Sequence, residues 1–230
     1  GASHVLVERV GLHNILYDPE QEHLIVPSAL HGIATIPGDR PMELGPYMKE
    51  TGLPSPVVTG SFGNHGDLWI GTMTELRRYD RYTFAPLPVY APGFRGEPLP
   101  EGLTGSLTPL SPDSLLIGGT NGLFHASLDE KGAIRSVSRL LSDMALGNVS
   151  FSGVFPLEDG SLVLNMARGF LRYRLGENRL QWLRASDGAP DYRPYLGCQY
   201  HADSLAILPG SLGPLLFEPE KLSFDVPPRR

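Results

Sequence analysis

The sequence predicts an all-β fold, a β-propeller built from five four-stranded blades. A short apolar run after a turn recurs five times, and a turn residue followed by an apolar one comes seven or eight residues after each start. A glycine among small residues precedes four of the runs by eight to ten residues. A period in the mid-forties, with several short strands in each unit, is typical of β-propellers. The runs start at Leu24, Leu68, Leu115, Leu162 and Leu205, in steps of 44, 47, 47 and 43 residues.

The clearest copy of the unit is GDLWIGTMTELRRYD, residues 66–80. Leu68 to Ile70 form an apolar run that is too short for a helix and rich in strand formers. After a polar break, the segment from Leu76 to Tyr79 alternates apolar and charged residues, as a half-buried strand does. A hairpin of this size cannot bury its apolar faces by itself, so the pattern predicts one unit of a repeated structure.

The repeats fill one predicted domain, residues 1–230, and a strand-like segment at residues 5–10 precedes them. Two arrangements fit this order. In a closed ring of five blades, residues 5–10 complete the last blade. In an arc of a larger ring, an apolar blade face stays uncovered, and a homodimer would cover it. The leading strand and the well-formed last repeat favour the closed ring. The repeats span approximately residues 11–44, 57–90, 103–140, 149–183 and 195–226.

Composition narrows the function classes. The 230 residues include 27 Gly and 22 Pro, which suit many tight turns between short strands. The net charge is −6 without a basic cluster, which argues against nucleic acid and anionic membranes as partners. No apolar run approaches the length of a transmembrane helix. The single cysteine, Cys198, excludes an internal disulfide framework.

The segment GDLWIGTMTELRRYD resembles the two-component regulator propeller repeat, whose usual form is close to GxLWIGTxxGLxRYD. The segments LLIGGTNGLFHAS and LVLNMARGFLRYR keep its outline, and GPLLFEPEKLSFDVPP is similar to the final blade of that family. The resemblance implies the periplasmic ectodomain of a bacterial inner-membrane sensor, whose remaining chain contains a histidine kinase. In that setting the signal peptide and the membrane anchor lie outside this sequence. The sensors of the family usually carry more repeats than the five found in this chain.

Propeller topology predicts which loops share a face. The first strand of each blade lies nearest the axis, so the connections between blades and the turns between second and third strands emerge together, where propellers commonly bind ligands. Side chains on these loops combine aromatic rings, amides and guanidinium groups, which suits a small carbohydrate ligand. The alternative is that they are ordinary polar loop residues. The candidate binding residues are His31, Asn121, Asn165 and Arg168 from the turns, and Phe94, Arg95, Asn148, Tyr192, Arg193 and Tyr195 from the connections.

No catalytic, metal or cofactor site is expected from the sequence. A glycoside hydrolase needs two carboxylates facing each other across a sugar, yet the predicted first strands VVTGS, LTGSL, VSFSG and YLGCQ contain no acid. Acids recur instead at the turn before the second strand, where Asp side chains commonly bond to their own backbone. No metal-binding histidine spacing and no serine nucleophile elbow is present. The recurring acids are Glu22, Asp67, Asp113, Asp159 and Asp203.

The leading hypothesis for function is a non-enzymatic sensor module for a carbohydrate-type ligand. Two alternatives stay open, a five-bladed carbohydrate-active enzyme and a protein-interaction scaffold. Trp69 is expected to pack between blades rather than to bind a ligand, because it alternates with Leu68 along one strand.

Overall fold

Short strands make up nearly all of the structure, a computed structural model. It describes residues 16–28, 32–39, 49–50, 57–72, 74–96, 99, 104–119, 122–142, 151–166, 169–175, 177, 179–184, 200–202, 205–210, 213–222 and 224. These residues form nineteen strands and one 3-10 helix, Pro219–Lys221, which confirms the all-β prediction for this part of the chain. The strands are β1 Leu16–Asp18, β2 His23–Ser28, β3 Gly32–Pro37, β4 Lys49–Glu50, β5 Val57–Phe62, β6 Asp67–Thr72, β7 Leu76–Asp80, β8 Pro86–Leu87, β9 Thr104–Ser111, β10 Ser114–Gly119, β11 Gly122–Leu128, β12 Ile134–Ser142, β13 Phe151–Pro156, β14 Ser161–Met166, β15 Gly169–Arg174, β16 Arg179–Leu183, β17 Tyr200–Ala202, β18 Leu205–Gly210 and β19 Gly213–Phe217.

The strands form five antiparallel sheets, and each sheet is an up-and-down meander in chain order. The first four sheets are four-stranded, β1–β4, β5–β8, β9–β12 and β13–β16. The fifth has three strands within the described residues, β17–β19. Each predicted apolar run supplies the second strand of one sheet, so the repeat prediction located the strand that every sheet is built around.

Three of the five runs share one register, in which the first leucine pairs with the residue eleven positions later. Leu24 pairs instead with Ile36, twelve positions later, and is only partly buried, so its predicted equivalence to the other leucines is not exact. Leu68 and Leu162 each pair with a tyrosine on the third strand, at the same distance from the connecting turn. In the fifth sheet this position belongs to Ala206, which is fully buried, whereas Leu205 is 38% exposed. The prediction of Leu205 as the equivalent residue is therefore wrong by one position. A Ser-Leu pair starts the run in the last three repeats, but a shift of one residue reverses the face of a strand.

Each of the middle sheets buries both faces of its second strand. All six residues of β6, β10 and β14 are buried, as expected for strands covered on two sides. Leu68 lies in an apolar cluster with first-sheet residues, while Trp69 lies in a cluster with third-sheet residues. Two further clusters join the third sheet to the fourth and the fourth to the fifth. Trp69 is fully buried, which confirms its predicted place between sheets.

The first strands of neighbouring sheets lie side by side. Strand β9 contacts β5 on one side and β13 on the other, and Thr108 Oγ1 donates to Val154 O at 3.2 Å. A Cβ on Gly105 would lie 2.4 Å from the carbonyl oxygen of Phe151, so this approach requires glycine. Sheets that pack face to face, with their first strands together, have a propeller-like arrangement. The predicted ring-closing segment, residues 5–10, lies outside the described residues.

Candidate functional site

Three of the ten candidate binding residues lie within the described part of the chain, Phe94, Arg95 and Asn165. Asn165 lies in β14, one residue before the strand ends, rather than in the turn that follows. Its side chain is 1% exposed, so it faces the packed interior and not the solvent. The other seven lie outside the described residues, and their role in binding stays a prediction: His31, Asn121, Asn148, Arg168, Tyr192, Arg193 and Tyr195.

Phe94 and Arg95 lie on a different side of the sheets from the predicted face. Because β8 has only two residues, the chain leaves the second sheet beside the turn between its last two strands. Residues 88–96 then run along the third sheet, where Ala91 N donates to Ile134 O at 2.9 Å. Ile134 begins β12, just after the turn between the third and fourth strands of that sheet. The predicted placement is corrected accordingly: both residues lie at the opposite end of the strands.

A tight turn fixes the segment that carries these two residues. Phe94 N donates to Ala91 O at 3.0 Å, and Gly93 between them has a φ of 83°. Proline followed by a glycine of positive φ is the sequence of a type II turn. The ring of Phe94 packs against Tyr90, with the ring centroids 4.7 Å apart. Phe94 therefore anchors the segment, and the next residue, Arg95, is exposed.

Arg95 lines an open cleft at the turn edge of the third sheet, which we call the third-sheet cleft. Its volume is about 910 Å³, and eight of its ten lining residues have polar side chains. A second groove of about 1120 Å³ adjoins it and shares Gly93, Asp113, Leu128 and Arg135 with it. The polar side chains of the third-sheet cleft are Arg95, Ser111, Asp113, Ser114, His125, Ser127, Arg135 and Ser136.

Arg135 reaches the cleft through an irregularity in β12. Its two neighbours on β12 pair with consecutive residues of β11, so Arg135 has no residue opposite it. This is a β-bulge, which turns the extra side chain away from its regular direction. Among the described residues, the guanidinium groups of Arg135 and Arg95 make no hydrogen bond or ion pair.

The carboxylate in the cleft is engaged by its own turn. Ser111 Oγ donates to Asp113 Oδ1 at 2.5 Å, so Ser114 Oγ, at 2.8 Å from Ser111 Oγ, is the donor to that hydroxyl. The hydroxyl of Ser111 lowers the pKa of Asp113, because it stabilises the ionised form. The cleft thus contains two guanidinium groups that have no partner among the described residues and one carboxylate that has one.

Neighbouring sheets carry a longer side chain at a position where the third sheet carries His125. On the third strand, Arg78, His125 and Arg172 occupy the same register. Arg78 Nε donates to Asp67 Oδ2 at 2.6 Å, and Arg78 also donates to Lys131 O of the next sheet. Arg172 likewise bonds to the aspartate of its own turn and extends over a phenylalanine ring that packs with the fifth sheet. The shorter histidine makes no such link, and the cleft lies beside it.

Sequence reasoning missed His125 and Arg135 as functional candidates. A signal for His125 was present, because the third repeat reads LFHAS where the second reads LRRYD. The bulge that turns Arg135 towards the cleft has no comparable signal, because it depends on how two strands align.

Asp67 and Asp159 bond to their own turns as predicted. The exposed side chain of Glu22 makes no such bond among the described residues, and Asp18 accepts from Glu20 N and Gln21 N in that turn instead. Asp67 Oδ1 accepts from His65 N at 3.3 Å, and Asp159 Oδ1 accepts from Ser161 N at 2.9 Å. Their predicted role in their own turns is thereby confirmed, while Asp203 lies outside the described residues. No group of three metal-ligating side chains occurs within the described ranges.

Comparison with known proteins relates the fold to signalling domains. The extracellular domain of BT4673, assigned as a hybrid two-component system of B. thetaiotaomicron, has a TM-score of 0.60 and 12% sequence identity, covering 92% of this chain and 27% of that one. The extracellular domain of BT3049, assigned likewise in the same organism, has a TM-score of 0.58 and 14% identity, covering 95% of this chain and 29% of that one. This chain is similar in fold to both.

The resemblance seen in the repeat motif is confirmed by these structures at the level of the fold. The chain spans less than a third of the length of the two bacterial domains. The CNH domain of AfRom2 is also similar, with a TM-score of 0.53, 11% identity, and coverage of 90% of this chain and 68% of that one. No family model and no curated protein matches the chain. Among the described residues, no helix has the length and apolar character needed to cross a membrane.

Proposed function

We propose that this chain is a non-enzymatic sensor domain of a two-component signalling protein, located in the periplasm. The support is the fold that it shares with the extracellular domains of BT4673 and BT3049, together with the repeat GDLWIGTMTELRRYD. The rest of a sensor kinase chain is then its covalent partner. The gene is expected to continue into a membrane helix and a histidine kinase, and the flanking DNA sequence tests this. A flanking sequence that encodes neither would contradict the signalling role.

We propose a small carbohydrate as the ligand. Sugars bind where aromatic faces meet planar polar groups and hydroxyl partners. The third-sheet cleft offers guanidinium, imidazole and hydroxyl groups, and Phe94 borders the adjoining groove. The seven candidate residues outside the described part remain proposed contacts on the opposite face.

Calorimetric titration of the purified domain with a panel of neutral and acidic oligosaccharides tests this ligand class. A sensor is expected to give saturable heat with at least one saccharide and to leave that saccharide intact, as judged by chromatography of the mixture. Binding followed by cleavage would instead support the carbohydrate-active enzyme. The absence of binding across the panel would contradict the carbohydrate ligand and favour the interaction scaffold.

We further propose that the five sheets close into one ring, with residues 5–10 completing the last blade. Ile25 faces the second sheet, so its strand neighbour Val26 points the other way. Val26 and Ile36 are nevertheless each only 1% exposed. Their burial supports a cover from the same chain on the outer face of the first sheet.

Analytical ultracentrifugation tests the closed ring. A closed ring is expected to sediment as a monomer over a wide concentration range, and deletion of residues 1–10 is expected to cause association or loss of stability. A stable dimer of the intact chain would favour the arc instead, because an uncovered apolar blade face needs a partner.

A further inference from the structure

The third-sheet cleft contains unbalanced positive charge on a chain whose net charge is −6. Arg95 and Arg135 are both exposed and both line the cleft. Within the described residues neither has a partner, whereas both arginines of β7 are paired with carboxylates. Asp113 is engaged by Ser111, as described above.

The adjoining groove brings no free carboxylate into the cleft itself. Its lining contains Lys131 and, besides Asp113, three acids, Asp80, Asp129 and Glu130. Asp80 Oδ1 accepts from Thr83 N at 2.7 Å, so this carboxylate is engaged by its own turn. Asp129 Oδ1 accepts from Ala133 N at 2.8 Å and from Lys131 N at 2.9 Å, so this carboxylate caps its own turn. Glu130 is exposed and lines the adjoining groove but not the third-sheet cleft.

The two arginines extend from backbone segments that are bonded to each other. Ile134 N donates to Val89 O at 2.8 Å, and Ala91 N donates to Ile134 O at 2.9 Å. Arg135 follows directly on one segment, and Arg95 follows the type II turn of the other. Guanidinium groups hold oxyanions through paired, charge-assisted hydrogen bonds. A fixed backbone lowers the entropy cost of bringing two such groups to one ligand.

Neutral donors complete the chemistry of the cleft. Ser127 and Ser136 pair across the ladder between β11 and β12, and both line the cleft. We propose that the third-sheet cleft is a binding site for an oxyanion, the carboxylate, sulfate or phosphate group of a small ligand, held by Arg95 and Arg135. This proposal goes beyond the proposed sensor function and does not require a carbohydrate ligand, because a sugar acid and any other small acid carry the same oxyanion group.

Calorimetric titration at low ionic strength tests the site, with sodium sulfate, sodium phosphate and sodium galacturonate as probes. Galactose is the neutral match for galacturonate and separates recognition of the acid from recognition of the sugar. The variants are Arg95→Gln, Arg135→Gln and the double substitution. Arg179→Gln is the control, since Arg179 is an exposed arginine at the start of β16, the strand that corresponds to β12 in the fourth sheet.

The intact chain is expected to bind at least one oxyanion at millimolar concentration, and more weakly as sodium chloride is added. Each single substitution should weaken binding by about tenfold, the loss expected for a charge-assisted hydrogen bond. A further variant, Arg95→Lys, should bind with an affinity between those of the intact chain and Arg95→Gln, because lysine keeps the positive charge but lacks the planar guanidinium group. All variants should keep the unfolding temperature of the intact chain, because the substituted side chains are exposed.

Failure to bind any of the three oxyanions would overturn the site. So would equal weakening in Arg179→Gln, which would indicate attraction to surface charge in general. If galactose binds, galacturonate binds no better, and neither sulfate nor phosphate binds, the carbohydrate ligand stands and the oxyanion site falls.

Discussion

The ion pair between Arg78 and Asp67 gives a direct test of what ties the second sheet to its surroundings. The two side chains are 4% and 0% exposed, and Arg78 Nε lies 2.6 Å from Asp67 Oδ2. Arg78 also donates to Pro88 O at 3.3 Å and to Lys131 O of the third sheet. One guanidinium group therefore joins β7 to the following loop and to the next sheet.

Arg78→Gln removes the charge that balances a buried carboxylate. Loss of one partner from a buried ion pair costs about 3–5 kcal/mol in the free energy of unfolding. Arg172→Gln is the matched control, because Arg172 has the same register in the fourth sheet and pairs with Asp159. In that pair the side chains are 26% and 38% exposed. Exposed pairs contribute about 0–1 kcal/mol, so the control should cost about 1 kcal/mol or less.

Urea denaturation followed by tryptophan fluorescence measures both costs. Trp69 is a suitable reporter, since the guanidinium carbon of Arg78 lies 5.5 Å from its ring centroid. Replacing Arg78 with Met and Asp67 with Leu together should restore part of the stability lost by either change, because no charge is then left buried. Equal costs for Arg78→Gln and Arg172→Gln would refute the reasoning.

The register of the fifth sheet predicts that Leu205→Ala costs less than about 1 kcal/mol, whereas Leu162→Ala costs about 2–5 kcal/mol in the same assay; similar costs would contradict the register. Burial alone would raise the pKa of Asp18, but hydrogen bonds from Arg81 and from the turn that contains Asp18 lower this pKa from 3.8 to about 2. Asp18 therefore stabilises the fold above about pH 4, and this stabilisation is lost as the pH falls towards 2. The Asp18→Asn variant lacks the titrating carboxyl group, so its free energy of unfolding should fall by about 2 kcal/mol less over that pH range. Urea midpoints at each pH measure the effect, and an unchanged fall would count against the ion pair. The purified domain is expected to release no product from polysaccharides or synthetic glycosides in a reducing-sugar assay, and saturable turnover abolished by one Asp or Glu substitution would overturn the non-enzymatic hypothesis.

The second strands could be predicted from the sequence because they are covered on both faces. Burial on two sides produces a continuous apolar run, and five such runs at nearly equal spacing leave few alternatives to stacked sheets. The exact register in the fifth sheet could not be predicted from the run alone. The turn after the strand sets the register, and the Ser-Leu pair at its start was a weaker guide than that turn.

The place of Phe94 and Arg95 depended on where one strand ends. The segment PLPVYAP has prolines at positions 86, 88 and 92. Proline cannot donate to a strand ladder, so β8 stops after two residues and the chain stays at that end of the sheet. This consequence could have been derived from the sequence. The bulge at Arg135 could not, because it arises from the pairing of two strands rather than from either strand by itself.

The third sheet departs from its neighbours at one place. Where the second and fourth sheets use an arginine to bind an aspartate at the turn before their second strand, it carries His125. The same end of the sheet has the bulge and the two arginines that have no partner among the described residues. Local departures from a repeated structural rule, without a visible gain in packing, are expected at functional sites. That argument favours the edge of the third sheet over any position where the repeats agree as the site of ligand recognition.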